Sequence, residues 1–106
     1  MSITGKSLAD GVVAGTKGTI YQVKSETAHI KTAHFYNTNA IAQTLNIYVK
    51  RKDSTSRLIE TASLSQYATF ELCSGGLGLT LSLGDLLEAD TTTASAIDYV
   101  LTGTVE

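Results

Sequence analysis

Leu77-Gly78-Leu79-Thr80-Leu81-Ser82-Leu83 and, across a polar connection, Ile97-Asp98-Tyr99-Val100-Leu101-Thr102-Gly103-Thr104-Val105 are the stretches that decide the fold. In the first, Leu77, Leu79, Leu81 and Leu83 alternate with Gly78, Thr80 and Ser82. In the second, Ile97, Tyr99, Leu101 and Val105 alternate with Asp98, Val100, Thr102 and Thr104. A period of two marks a strand with one face in a core and the other in water. The wet positions are mostly Thr, Ser and Gly, which hold no catalytic proton and grip no metal. These stretches describe a scaffold.

Outward from them the same grammar repeats. Residues 44–51 put Leu45, Ile47 and Val49 on one face and Asn46, Tyr48 and Lys50 on the other. Residues 67–72 turn Ala68, Phe70 and Leu72 inward, and residues 19–24, 57–64 and 85–90 read as further short strands. The turns fall at Gly15 to Gly18, at Asn37-Thr38-Asn39 and at Asp53-Ser54-Thr55-Ser56, all residues that favour reversals. In residues 28–36, Ile30 sits on one parity and Ala33 and Phe35 on the other, so a regular strand cannot bury all three. A bulge would reconcile them.

Helix signals are scarce. Sixteen threonines, ten serines and nine glycines favour pleated strands and turns. The chain has no proline, which removes one common guard against edge-to-edge strand pairing, so charge or assembly must protect the edges. The expected fold is all-β: a single-domain, two-sheet sandwich of jelly-roll or immunoglobulin-like type with about eight short strands. Residues 1–18 read as an N-terminal arm, partly extended, with one strand near residues 8–13, and residues 19–106 as the sandwich domain. The arm's apolar residues Ile3, Leu8, Val12 and Val13 lie among glycines, which suits either a segment that orders on a partner or a plain first strand.

Bulk properties narrow the function. A chain of 106 residues with 42% hydrophobic content forms one core without staples. No run of about 18 apolar residues exists to span a bilayer, and the start of the chain shows no export signal. Net charge is only −2, which argues against binding nucleic acid by phosphate neutralisation. Its distribution is uneven. All eight Lys and Arg lie at or before Arg57 beside three acids, a net +5, and the seven remaining acids follow, a net −7. Opposite-charge surfaces of that kind favour neighbour contacts in an assembly, unless interleaved strands mix the charges.

No catalytic constellation emerges. Cys73 is the lone cysteine, so no intrachain disulfide or zinc cluster can form, and no local cation activates it. His29 and His34 are an odd number apart, which places them on opposite faces of a regular strand and keeps them off one metal unless a bulge intervenes. Asp85, Glu88 and Asp90 could suit glycoside hydrolysis or calcium, but the chain has no Trp and only seven aromatics to line a cleft. Asp85 after Gly84 reads as a turn residue capping local amides. No cofactor or metal is expected. The best contact candidate is the basic hairpin tip Lys50, Arg51, Lys52 and Arg57 with Tyr48 beside it, and Ile3 and Leu8 of the arm as a second element.

Three segments carry a resemblance: Thr19-Ile20-Tyr21-Gln22-Val23, Ala33-His34-Phe35-Tyr36-Asn37-Thr38-Asn39 and Leu45-Asn46-Ile47-Tyr48-Val49. With Leu81-Ser82-Leu83-Gly84-Asp85-Leu86-Leu87-Glu88-Ala89 and the final strand, they resemble small β-sandwich virion proteins of tailed bacteriophages. Asp85 and Gly103 sit where that group's Leu-x-Leu-x-x-Gly-Asp turn and closing strand have them. His34 and Ala33 depart from its larger aliphatics. The resemblance implies a non-enzymatic virion subunit, made in the host cytoplasm, without membrane or nucleic-acid partners. It would be a capsid decoration or cement protein on the major capsid protein or other virion subunits, and a homo-oligomer such as a trimer. A tail, baseplate or fibre subunit is the structural alternative, and a glycan- or receptor-binding module the alternative from another class.

Overall fold

A computed structural model describes residues 4–24, 26–72 and 78–105, and among these it contains nine strands and no helix. They are β1 (Thr4–Val12), β2 (Gly18–Gln22), β3 (Thr27–Asn37), β4 (Gln43–Lys50), β5 (Ser56–Leu64), β6 (Thr69–Glu71), β7 (Leu79–Ser82), β8 (Leu86–Thr91) and β9 (Ile97–Val105). One sheet runs β1-β9-β3-β6, with β7 also on β3, and the other runs β2-β8-β4-β5. The expected β-sandwich is what forms. Ile3, Cys73 and Leu77 lie outside the described residues.

The pairings give the topology. β6 and β7 lie end to end along β3, β6 against His34 to Tyr36 and β7 against Thr27 to Ile30. Counted as one interrupted strand, they leave four antiparallel rungs: β1 with β9, β2 with β8, β3 with β6/β7, and β4 with β5. That is one long hairpin, reversed between β4 and β5 and wrapped into two sheets by the added pairs β3–β9 and β4–β8. Of the two arrangements the sequence allowed, this is the jelly roll.

Alternation builds the core as read. Leu45, Ile47 and Val49 are buried on β4, and Ile97, Tyr99 and Leu101 on β9. Phe35 lies at the centre, its ring 6.4 Å from Phe70 and 6.3 Å from Tyr99. The Tyr99 hydroxyl donates to the Ile20 carbonyl at 3.2 Å and so ties one sheet to the other. Leu83 ends the Leu stripe at 50% exposure, because the chain is already turning there toward β8.

The parity break in β3 is resolved by a bulge. Ile30 pairs Gly103 and Thr32 pairs Thr102, which leaves Lys31 as the extra residue. Ala28 and Ile30 before it and Ala33, Phe35 and Asn37 after it are then all buried. The same shift changes the histidines. Opposite faces hold only for a regular strand; here His29 and His34 share the outer face, where His29 Nδ1 meets Thr80 Oγ1 at 2.8 Å and His34 pairs Glu71.

The arm is drawn into the fold. β1 pairs β9 from Thr4 opposite Val105 to Val12 opposite Asp98, with an irregularity at Leu8, whose side chain packs partly buried on the core. Thr4–Val12 has its strand partner within the chain.

Both ends of the sandwich are closed by buried polar groups. At one end Asn37 Nδ2 donates to the carbonyls of Ile41, Leu64 and Ser65, and its Oδ1 accepts from the Asn39 amide. Gln43 Oε1 accepts from the Thr93 amide nearby at 2.9 Å. Asp85 closes the other end.

Gly103 faces the bulge, and a Cβ there would lie 1.9 Å from the His29 carbonyl oxygen. That contact is with backbone, so no rotamer relieves it. Gly103→Ala is expected to cost about 3 kcal/mol or more, the upper range for overpacking. Urea unfolding checks this; a midpoint equal to wild type would show that β3 and β9 approach less closely.

Candidate interaction surface

The β4–β5 hairpin is built from local chemistry. The Arg51 amide donates to Thr55 O at 2.8 Å and the Ser54 amide to Arg51 O at 2.9 Å, enclosing a three-residue loop. Ser54 takes the left-handed conformation (φ 74°) that such a loop needs in its last position. Asp53 Oδ1 accepts from the Thr55 amide at 2.9 Å, the local turn-closing role of an aspartate. That amide, with the Arg57 charge as a lesser contribution, holds the Asp53 carboxyl below its ordinary pKa.

Asp85 then staples this loop to the body. Its Oδ2 accepts from the Ser82 amide at 3.0 Å, the local capping that the sequence suggests. It also accepts from Arg51 Nη1 at 2.7 Å, and Oδ1 accepts from the Lys52 amide at 3.3 Å. The Asp85 side chain is 5% exposed and that of Arg51 51%. Burial pushes the Asp85 carboxyl up, but the Ser82 amide, the Arg51 guanidinium and the Lys52 amide together outweigh it and hold it below its ordinary value. Gly84 sits between at φ 91°, against the aliphatic stem of Lys52.

Arg51 is therefore consumed by structure. Lys52 and Arg57 are exposed and Lys50 is partly so, and among the described residues none of the three is in an ion pair. Leu58 lies beside them at 55% exposure. The structure brings Lys50, Arg51, Lys52, Arg57 and Tyr48 together on one hairpin. It does not bring Leu8, which lies on the other sheet.

Tyr48 is held from several sides. Its hydroxyl donates to Asp90 Oδ2 at 2.8 Å, and Asn46 Nδ2 donates to Asp90 Oδ1 at 2.8 Å. Thr61 Oγ1 donates in turn to Asn46 Oδ1 at 2.9 Å. Lys17 Nζ lies 4.5 Å from the Tyr48 ring centroid and donates to Ser56 Oγ at 3.1 Å. The hydrogen bond to Asp90, then burial, then the charges of Asp90 and Glu88 raise the Tyr48 pKa above 10.0, so the phenol stays neutral. The part of Lys17 could not be read from sequence, since nothing local links it to residues 48 and 56.

The three acids considered for catalysis or calcium separate. Asp85 is at the hairpin end; Glu88 and Asp90 share the outer face of the four-stranded sheet. Glu88 stands opposite Tyr48 at 8% exposure, and its Oε1 is buried without a hydrogen-bond partner. Among the described residues no three His, Cys, Asp or Glu side chains converge as metal ligands. No protein-family model matches the chain, and no curated protein matches it.

Two predictions follow from these acids. Asp85 has a depressed pKa in the folded state, so its contribution is full above the unfolded value, near 3.8, and is lost as pH falls through the lower folded value. Asp85→Asn should cost about 2 kcal/mol at neutral pH and progressively less below pH ~4, whereas Arg51→Ala, which removes the half-exposed member of the pair, should cost nearer 1. Urea titrations from pH 7 to about 2.5 test this, and a pH-independent difference between Asp85→Asn and wild type would refute it. Glu88→Gln removes a buried charge with an orphaned oxygen and should raise stability by about 1 kcal/mol. A lower melting temperature in that variant would show that the carboxylate has a stabilising partner.

Proposed function

We propose that this chain is a non-enzymatic structural subunit of a tailed-phage virion, a decoration or cement protein that binds the outside of the capsid shell. The observation that carries the reading is the cationic hairpin, held rigid on a jelly roll by the Asp85 staple. A preorganised tip loses little conformational entropy on docking, so a few charged contacts count for more. Its cations suit an acidic protein surface, and many copies on a shell add weak contacts into firm attachment. Jelly rolls serve as capsid domains and also as lectins, so the fold alone does not choose between them.

The rest of the surface supports a structural role. The groups that could do chemistry are tied separately: His29 to Thr80, His34 to Glu71, Asp85 to Arg51, and Asp90 to Tyr48 and Asn46. Only the two histidines share a face, and each is tied to its own neighbour there. The glycan-binding reading needs open aromatic faces, and Tyr48 lies beneath Lys17 while Tyr99 is buried. Tyr67, at 52% exposure, is the aromatic best placed for stacking.

The test is binding to the particle. Wild type should cosediment with heads of the phage that encodes it and raise their resistance to heat. The Lys50→Glu/Lys52→Glu/Arg57→Glu variant, which spares Arg51, should bind at least about tenfold more weakly at low salt. Unchanged binding by a folded variant would remove the hairpin from the docking surface; failure of wild type to bind heads would remove the decoration role.

A further inference from the structure

We propose that this chain also self-associates head to tail, the cationic hairpin of one copy seating on an acidic, partly apolar patch of the next copy's five-stranded sheet. The inference uses the hairpin as a docking element, as above, but names a different partner for it and does not depend on a capsid.

The patch is set by strand register. One rung across the outer face of the five-stranded sheet places Asp10 beside Val100, Val100 beside His34, and His34 beside Glu71. The next rung places Val12 beside Asp98, Asp98 beside Tyr36, and Tyr36 beside Thr69. With strands about 4.8 Å apart, the four columns span roughly 14 Å, about the width of a β-hairpin with its side chains. Val12, on the edge strand β1, is 52% exposed and Val100, on the adjacent β9, 42%, so the β1 side of the patch is apolar and open. These eight positions hold three carboxylates and no Lys or Arg. Glu71 is engaged with His34, but Asp10 and Asp98 are in no ion pair among the described residues.

The hairpin is the counterpart. Leu58, opposite Tyr48, shares the outer face with Lys50, while Arg57, opposite Val49, flanks the other face and Lys52 sits in the loop. The patch is two exposed valines within a set of acids. Charge matches charge and apolar matches apolar, the pattern that steers encounter and fixes register. The imbalance between the basic first half and the acidic second half of the sequence ends up here. Strand interleaving mixes many of the charges, yet it leaves the patch without a Lys or Arg and the hairpin with three cations outside any ion pair against the one exposed acid Asp53.

Geometry makes the contact intermolecular. Asp98, Tyr36 and Val12 lie at the Asn37–Gln43 end of the sandwich, and the hairpin lies at the Asp85 end, on the other sheet, in a molecule 45 Å long. A copy cannot seat its own hairpin on its own patch. Two different surfaces in contact form a heterologous interface, which closes into a ring or propagates as a chain.

The experiment is sedimentation velocity on purified protein with a charge swap. Wild type should associate at about 50 mM salt and dissociate toward monomer at about 0.5 M, because exposed pairs are screened over a few ångströms there. Asp10→Lys/Asp98→Lys and Lys52→Glu/Arg57→Glu should each be monomeric alone, their surfaces now repelling. An equimolar mixture should reassociate, since every hairpin then finds a patch of opposite sign. If charge reversal disturbs folding, Asp10→Asn/Asp98→Asn and Lys52→Gln/Arg57→Gln replace the pair, and each should weaken association at least about tenfold. A monomeric wild type at low salt, association that persists in the patch variant, or folded swapped variants that ignore one another would each overturn the proposal. Head binding, measured separately, keeps the two readings apart: a monomeric chain that binds heads loses only this inference, and a self-associating chain that binds none loses only the previous one.

Discussion

The close approach of β3 and β9 at Lys31 and Gly103 is the constraint on which this structure depends. Among the described residues β3 is the one strand that pairs with three others, and its eleven residues contribute Ala28, Ile30, Ala33, Phe35 and Asn37 to the interior. Without an extra residue at Lys31, one half of that set would face water. The bulge brings the backbone of His29 and Ile30 over Gly103, where only a residue without Cβ fits. A glycine in a strand normally weakens it. Here it lets a central strand switch phase, so that Phe35 reaches both Phe70 and Tyr99.

That same phase switch decides what the outer face offers. It turns Thr32, His34 and Tyr36 outward, with His29, and lines them up with Thr102, Val100 and Asp98 of β9. The hydroxyl pair Thr32–Thr102 and the His29–Thr80 bond are cross-strand contacts that stiffen the sheet without adding apolar surface. Threonine supplies β propensity through its branched Cβ and wettability through its hydroxyl. A face built this way tolerates both solvent and a partner.

Alternation was legible wherever a strand has one wet face. β4, β9 and the inward residues of β6 follow directly from their period, and the parity conflict between Ile30 and Ala33 points to the bulge at Lys31. Pairings were not legible, because they join distant residues: Arg51 meets Asp85 across 34 positions. The basic run Lys50-Arg51-Lys52 reads as three equivalent surface cations, and only the fold separates Arg51, tied to a buried carboxylate, from its two neighbours. Tyr48 likewise reads as an open aromatic, and only the position of Lys17 closes its ring.

The edges carry the last step of the argument. β5 is an edge strand of nine residues without proline, a form that invites pairing with any extended chain. Its register against β4 shifts between Ile47 and Tyr48, which leaves Ile59 as the extra residue and bends the edge, while Arg57 and Glu60 place charge along it. Backbone-to-backbone association is thereby discouraged at the strand that also carries the hairpin. What remains for contact is side-chain chemistry: Lys50, Lys52, Arg57 and the exposed Leu58 at one end, Asp10 and Asp98 with Val12 and Val100 toward the other. Contacts of that kind are individually weak, salt-sensitive and reversible. An assembly made from them can correct misplaced subunits before many simultaneous contacts hold each copy in place, whereas an open β edge would trap the first encounter.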